Sequence, residues 1–363
     1  PQVLVDAINL LNTQFANAGN DSGLIPVITS SLAPTIVEGS TLNYELTADY
    51  GVGYEWSNLP SGVVVVEGNS RKLIGGSALT AGTYNITVKA INYYGEDTET
   101  IALLVSNPPF ADTKSINFNT YDYLDAGSPA GLSSVLGRAG NGAGSGDAWT
   151  VSFWFKMGTY SGGAKQTMFF YGSTDYKNGG HIHIHHKGSS GAMTLQYGSK
   201  NNNLEFVTPN NTFTDNTWHH VMVTYDGGTT GSSSGSLSSY YSRFGVFVDG
   251  VLISTNNNEN NFGWSAAMSD SACYIGQRSS TDDTMRSGCK IDELAIWGSD
   301  QTANVASIYN SGTTHDLSGL GTAPTNWWRM GDGDTFPTLI DSVGTVDLTM
   351  TNMTVSEIVS DVP

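Results

Sequence analysis

The sequence predicts an all-β protein: two consecutive β-sandwiches preceded by one short amphipathic helix. Three observations carry this. First, residues 218–225 alternate, with Val221, Val223 and Tyr225 pointing one way and His220, Met222 and Thr224 the other. That is the period of a half-buried strand. Second, Phe244, Val246 and Val248 repeat the pattern and run into Asp249-Gly250 before Val251 and Ile253. Asp-Gly between apolar runs marks a tight hairpin, because a primed turn needs positive φ. Third, short apolar runs recur regularly from Leu24 to Val105, separated by Gly, Pro and Asn, which is the spacing of a sandwich.

Composition narrows the class. The 363 residues suffice for two domains and a sizeable core. Charged residues make up only 13%, so Ser, Thr, Asn and Gly must supply the polar surface, as in extracellular or particle-surface β-proteins. Lys and Arg total 15 against 33 Asp and Glu, a net charge of −18. Such a surface repels phosphate backbones, so no nucleic-acid partner is expected. No apolar run is long enough to span a bilayer, so no membrane partner is expected either. The first residues lack a basic segment followed by an apolar one, so no signal peptide is read there. A chain starting at Pro1 is compatible with removal of an initiator Met and equally with trimming from a precursor.

The elements follow in order. Residues 1–23 hold a helix over Val3 to Phe15, with Leu4, Ile8, Leu11 and Phe15 on one stripe and Gly19 ending it. A helix this short is marginal alone. It either caps the next domain or serves as an anchor for a particle or for sibling subunits. Residues 24–107 form the first sandwich. Asn107-Pro108-Pro109 is a stiff linker. Residues 108–363 form the second sandwich, with a further helix from about Thr302 to Asn310 ended near Gly312.

The second sandwich resembles the laminin-G/pentraxin-like branch of the concanavalin A-like jelly rolls. The resemblance rests on Trp218-His219-His220-Val221, Tyr225-Asp226-Gly227, Val248-Asp249-Gly250, Trp149 to Phe155, Tyr274-Ile275-Gly276 and Ile291 to Trp297. The first resembles Ig-like modules of bacterial and phage surface proteins, through Tyr54-Glu55-Trp56, Leu59 to Gly62 and Gly82-Thr83-Tyr84. The fold class is therefore an Ig-like sandwich followed by a concanavalin A-like jelly roll. Trp327 to Gly333 and Asp341 to Gly344 resemble an element that normally precedes the first jelly-roll strand. Here it follows the last, so Leu348 to Met353 is expected to pair beside the strand containing Ile116.

Candidate sites are few. No strand carries carboxylates at alternating positions, as a β-glucan hydrolase of this fold would need. Asp292 and Glu293 are adjacent and should point to opposite faces. No nucleophile elbow or phosphate loop is present, and a non-enzymatic protein is expected. His181, His183 and His185 share one strand face at about 6.6 Å intervals. They are open to three readings: zinc ligands awaiting a third from a neighbouring strand, wet imidazoles over buried Ile182 and Ile184, or part of a polar ligand-binding face. The resemblance implies Ca²⁺ at rim carboxylates; Asp122, Asp125, Asp282, Asp283 and Asp292 are either its donors or unpaired surface acids. A glycan would stack on loop aromatics, namely Tyr160, Tyr176, Tyr240, Tyr241 and Trp264, beside His183 and His185. Cys273 and Cys289 each open a strand-like run. They are either a disulfide worth roughly 3 kcal/mol or two reduced, half-buried thiols.

The architecture suggests a structural or decoration protein on a tailed-phage particle, attached and oligomerised through its N-terminal part and displaying a lectin-like domain to host glycans. The alternative is a carbohydrate-binding module of a microbial cell-surface protein.

Overall fold

The computed structural model describes residues 23–106, 108, 110–127, 132–136, 148–159, 162–173, 175, 179–199, 203–228, 241–260, 272–278, 283–286 and 288–363. The helix expected over residues 3–15, with Leu4, Ile8, Leu11 and Phe15, lies outside them. The chain divides into two compact units, Pro1–Pro109 and Phe110–Pro363.

The first unit is a two-sheet sandwich. One sheet orders Thr35–Val37, Gly95–Ser106, Gly82–Asn92 and Gly53–Ser57; the other orders Leu42–Glu45, Asn69–Gly75 and Val63–Val66. A minor pair joins Val27–Ile28 to Ala48–Asp49. Alternation fills the space between the sheets: Leu42, Leu73, Ile86, Val88, Ile101 and Leu103 all lie in one cluster. Gly75, at φ +105, lies against the Gly62 carbonyl, where a Cβ would collide with backbone, so only glycine fits.

The second unit faces an eight-stranded sheet against a nine-stranded one. The eight-stranded sheet centres on Trp218–Tyr225, Trp149–Lys156 and Cys289–Trp297. The nine-stranded sheet centres on Ala192–Gly198, His181–Lys187 and Lys165–Gly172. Val151, Phe153, Val221, Val223 and Tyr225 come from one sheet, and Phe169, Tyr171, Ile182, Ile184 and Leu195 from the other, into a single core. The inner faces are continuously apolar, which is where most of the favourable folding free energy arises.

The hairpin forms as the sequence predicts. Asp249 and Gly250 have φ of 51° and 75°, and Val221 pairs with Val248. The Asp249 carboxylate accepts the His220 backbone N–H at 2.9 Å and lies 2.8 Å from His219 Nδ1. On the far face of the eight-stranded sheet, Met222, Phe247 and Trp297 pack under the short helix Val305–Tyr309 through Val305 and Ile308.

Two pairings differ from expectation. Leu348–Thr351 pairs with Tyr123–Asp125 in the nine-stranded sheet; Ile116 pairs with Ile291 on one side and with Ile358, from Ile358–Val359, on the other. The chain turns at the capping box of Thr354 and Glu357 and so reaches the opposite sheet. The two cysteine runs also separate. Ala272–Ile275 joins the nine-stranded sheet and Cys289–Trp297 the eight-stranded one. Cys273 and Cys289 are free buried thiols, which corrects the disulfide reading.

Candidate functional site

The face of the nine-stranded sheet that points away from the core carries the chemistry. Along His181–Lys187, Ile182 and Ile184 enter the core, so strand alternation puts His181, His183, His185 and Lys187 on the other side. Register then extends this face sideways. Thr167, His185 and Thr194 form one row; Phe170, His183, Gln196, Glu205 and Asn258 form the next. Phe170 continues to Tyr274, with stacked ring centroids 6.4 Å apart, and Tyr123 meets Tyr274 edge-on at 5.8 Å.

The imidazoles are not wet. His181, His183, His185 and His186 are 0–1% exposed, because neighbouring strands flank them and the rings pack on one another; His183 and His185 lie 4.5 Å apart. Burial is the main cause that lowers their affinity for protons. The pKa of His181 falls to about 4, and those of His183 and His185 fall well below the usual imidazole range, His183 helped by His185 and His181 and His185 by Lys165 and His186. They are therefore neutral at pH 7, each with one N–H donor and one acceptor nitrogen. His183 Nε2 lies 2.9 Å from Thr167 Oγ1. His183 Nδ1 and both ring nitrogens of His185 have no hydrogen-bond partner. His185 lines a cavity of about 530 Å³ with Lys165, Lys187, Thr194, Glu205 and Asn258. Among the described residues, His, Cys, Asp and Glu do not converge on this strand in a metal-binding group, so it is not a zinc site there.

The eight-stranded sheet has its own buried polar cluster. A bulge opposite Phe153 shifts the register of Cys289–Trp297, and Glu293 takes φ 47°. The extra residue turns Asp292 and Glu293 to the same side, against the alternation expected from adjacency. They meet Asp112 with carboxylate oxygens all within 4.8 Å. Glu293 accepts from Trp327 Nε1 at 2.6 Å and Arg329 Nε at 3.4 Å. Burial raises the three carboxyls, Asp112 to about 6, Glu293 to about 8 and Asp292 well above its usual range. The adjoining cavity, lined by Ser152, His220 and Glu293, holds only about 10 Å³, the room of one water.

The remaining expected site residues scatter. Tyr160, Tyr176, Tyr240, Trp264 and Asp282 lie outside the described residues. Tyr241 packs edge-on against Phe206 at 5.2 Å as part of the core rim, not as an open platform. Asp122 caps the Asn119 N–H, Asp125 the Gly127 N–H, and Asp283 is held by Arg278 at 3.0 Å. Among the described residues, Asp122, Asp125 and Asp283 thus do not converge with Asp292 on a cation. The trio of Asp112, Asp292 and Glu293 has the spacing of Ca²⁺ ligands, whose bonds run about 2.3–2.6 Å. However, Arg329 sits in its midst, and its fixed positive charge opposes a dication. The trio fits shared protons better. Sequence reasoning missed Tyr123, Phe170, Tyr274, Lys165 and Glu205. Their alternation was visible, but which strands lie side by side was not.

Residues 134–308 match the family model of the concanavalin A-like lectin/glucanases superfamily. This segment is a concanavalin A-like domain. Among solved structures, a heptameric SAP-like pentraxin from Limulus polyphemus is 15% identical, covering 67% of this chain and 97% of that one, with TM-score 0.37. The CBM40 of a Ruminococcus gnavus IT-sialidase, bound to α2,3-sialyllactose, is 12% identical, covering 56% and 100%, with TM-score 0.37. A proposed α-galactosidase from Bacteroides fragilis is 18% identical, covering 27% of this chain and 21% of that one, with TM-score 0.21. The chain thus spans about a fifth of that protein's length. No curated protein sequence matches the chain. The concanavalin A-like domain supports a carbohydrate-binding role, and its superfamily includes both lectins and glucanases, so the site must decide between them.

Proposed function

We propose that the concanavalin A-like domain is a non-catalytic glycan-binding module whose site is the histidine face of the nine-stranded sheet. The observation that carries this is His185. The residue lines a cavity of about 530 Å³, a volume within the range of small-ligand sites, and its two ring nitrogens lie unpartnered behind that wall, each with under 1 Å² exposed. A buried polar atom without a partner costs about 1–3 kcal/mol. A small turn of the ring toward the cavity would let sugar hydroxyls, each donor and acceptor at once, recover that cost. The carboxylates of the opposite sheet adjoin a cavity too small for a sugar ring, so they do not suggest hydrolysis.

A glycan array with the full chain tests this. The expected result is retention of at least one glycan class, lost in His185→Ala with the far-ultraviolet circular dichroism unchanged. Failure to retain any glycan would sink the proposal.

The proposal extends to context. The module is displayed on the surface of a tailed-phage particle, with the N-terminal part contacting other virion proteins or sibling subunits. Its support is the order of segments and a surface poor in charge, at 13% of residues. Immunogold imaging of purified particles should label their surface. Unlabelled particles, with a secretion leader in the gene, would instead favour an adhesion module of a microbial cell surface.

A further inference from the structure

Lys165 and Lys187 are direct register partners on neighbouring strands and line the same cavity as His185. Like charges placed opposite each other in a sheet are destabilising, and this chain has few cations to spare, 15 Lys and Arg against 33 acids. Other cations of the unit are neutralised: Lys156 and Lys290 by Asp361, Arg278 by Asp283, Arg243 by Asp226. Among the described residues, neither Lys165 nor Lys187 has a carboxylate within the 4.0 Å of an ion pair. The cavity's acid, Glu205, stands two strands away from Lys187, paired with Asn258 on the strand beyond. The cavity is therefore bipolar: two ammonium groups at one end, a carboxylate and an amide at the other, and a neutral imidazole between them. Glu205 also lies four residues along the strands from Lys187, through Gln196 and His183, so two strand spacings and four residue rises set the ends about 16 Å apart, the length of about three sugar rings.

We infer that this cavity takes an acidic saccharide, whose carboxylate or sulfate lies between Lys165 and Lys187 while its hydroxyls pair with His185 and Glu205. This rests on the glycan-binding reading above and names the ligand class. A neutral sugar satisfies His185 and Glu205 but leaves the lysine pair uncompensated. A bare anion satisfies the lysines but meets repulsion at Glu205 and leaves His185 unpaired. Only a ligand with both features matches the whole cavity. The lysine charges also help keep His185 neutral, which preserves its acceptor nitrogen for a hydroxyl.

The test is titration calorimetry of the full chain with matched saccharide pairs: a uronic-acid glycan and its neutral counterpart, a sialylated glycan and its desialylated core, a sulfated glycan and its unsulfated form. At least one acidic member should bind about tenfold or more tightly than its partner. The carboxylate and sulfate arms identify the anion. The advantage should disappear at roughly 1 M salt, where the Debye length is about 3 Å, and in the double variant Lys165→Gln/Lys187→Gln. Equal affinity for both members of every pair, unchanged in the double variant, overturns this inference and leaves glycan binding standing. Absence of binding to any member overturns both.

Discussion

The two outward faces of the jelly-roll unit bury titratable groups by the same physics and to opposite ends. On the nine-stranded sheet, desolvation strips protons from His181, His183 and His185. On the eight-stranded sheet, it holds protons on Asp292 and Glu293. Both faces thus become nearly neutral inside. The difference is what lies beside them. The imidazoles border about 530 Å³ of open volume and keep unmet nitrogens. The carboxyls border about 10 Å³; Glu293 is anchored by Trp327 and Arg329, while Asp292 keeps one unmet oxygen. Perturbed protonation alone does not mark a site; room for a ligand distinguishes the two.

The largest expected effect separates the faces by pH. A buried imidazole whose folded pKa is depressed contributes stability that is present above its unfolded value of about 6.5 and lost as pH falls through the folded value. For His181 the loss runs down to about pH 4, and for His186 to about 3. Each adds up to about 1.4 kcal/mol per pH unit, so urea unfolding should show a steep acid limb worth several kcal/mol. Glu293 behaves in reverse. Its folded pKa, about 8, is raised, so its contribution is full below its unfolded value and disappears as pH rises through 8. Glu293→Gln should flatten this shallower alkaline limb and leave the acid limb intact. An acid limb that also vanishes would show that the two faces are not independent.

Next in size is Arg329→Met. It removes the donor that approaches Glu293 at 3.4 Å and the ion-pair partner of Asp332 at 3.6 Å. A buried group left without its hydrogen-bond partner costs about 1–3 kcal/mol, readable in the denaturation midpoint. Glycan affinity should not change, because the residue belongs to the other sheet. A smaller effect of opposite sign is expected for His185→Leu. It removes two unpaired buried nitrogens, so the chain should gain about 1 kcal/mol while glycan retention is lost. Lost stability with retained binding would mean that His185 belongs to the packing and not to the site.

The all-β class, the Asp249-Gly250 turn and the inward residues of the central strands were legible because they are local: period-2 alternation and turn chemistry act within a few residues. The candidate site was half legible. His183 and His185 were visible as a strand face, yet they are buried, because their rings pack on one another and on Phe170 of the adjoining strand, which alternation alone does not announce. Adjacent Asp292 and Glu293 suggested opposite faces, and a single bulge reversed that. Such a bulge is set by the partner strand, where Ser152 pairs with Ala295 but Trp154 pairs with Asp292, and no local signal announces it. Of the aspartates grouped as Ca²⁺ donors, Asp122, Asp125 and Asp283 scattered, since each is satisfied by its own turn or ion pair.

The smallest expected effect is none at all, and it tests how the two sheets are related. Cys273 pairs through Tyr171 in the nine-stranded sheet, and Cys289 through Phe118 in the eight-stranded one. Packed sheets lie about 10 Å apart, whereas a disulfide needs Cα atoms within about 7 Å. Burial pushes the thiols up to about 12 and about 11, so little of the reactive thiolate forms at neutral pH. Cys289 Sγ also accepts the Gly158 N–H at 3.3 Å and lies 3.8 Å from His186 Nε2, contacts that hold it inside. A thiol reagent should therefore label neither cysteine in the native chain and both after unfolding, and a reductant should leave the melting midpoint where it is. An intact mass two hydrogens light, or a midpoint that falls on reduction, would require the strands carrying Cys273 and Cys289 to lie closer than two facing sheets allow.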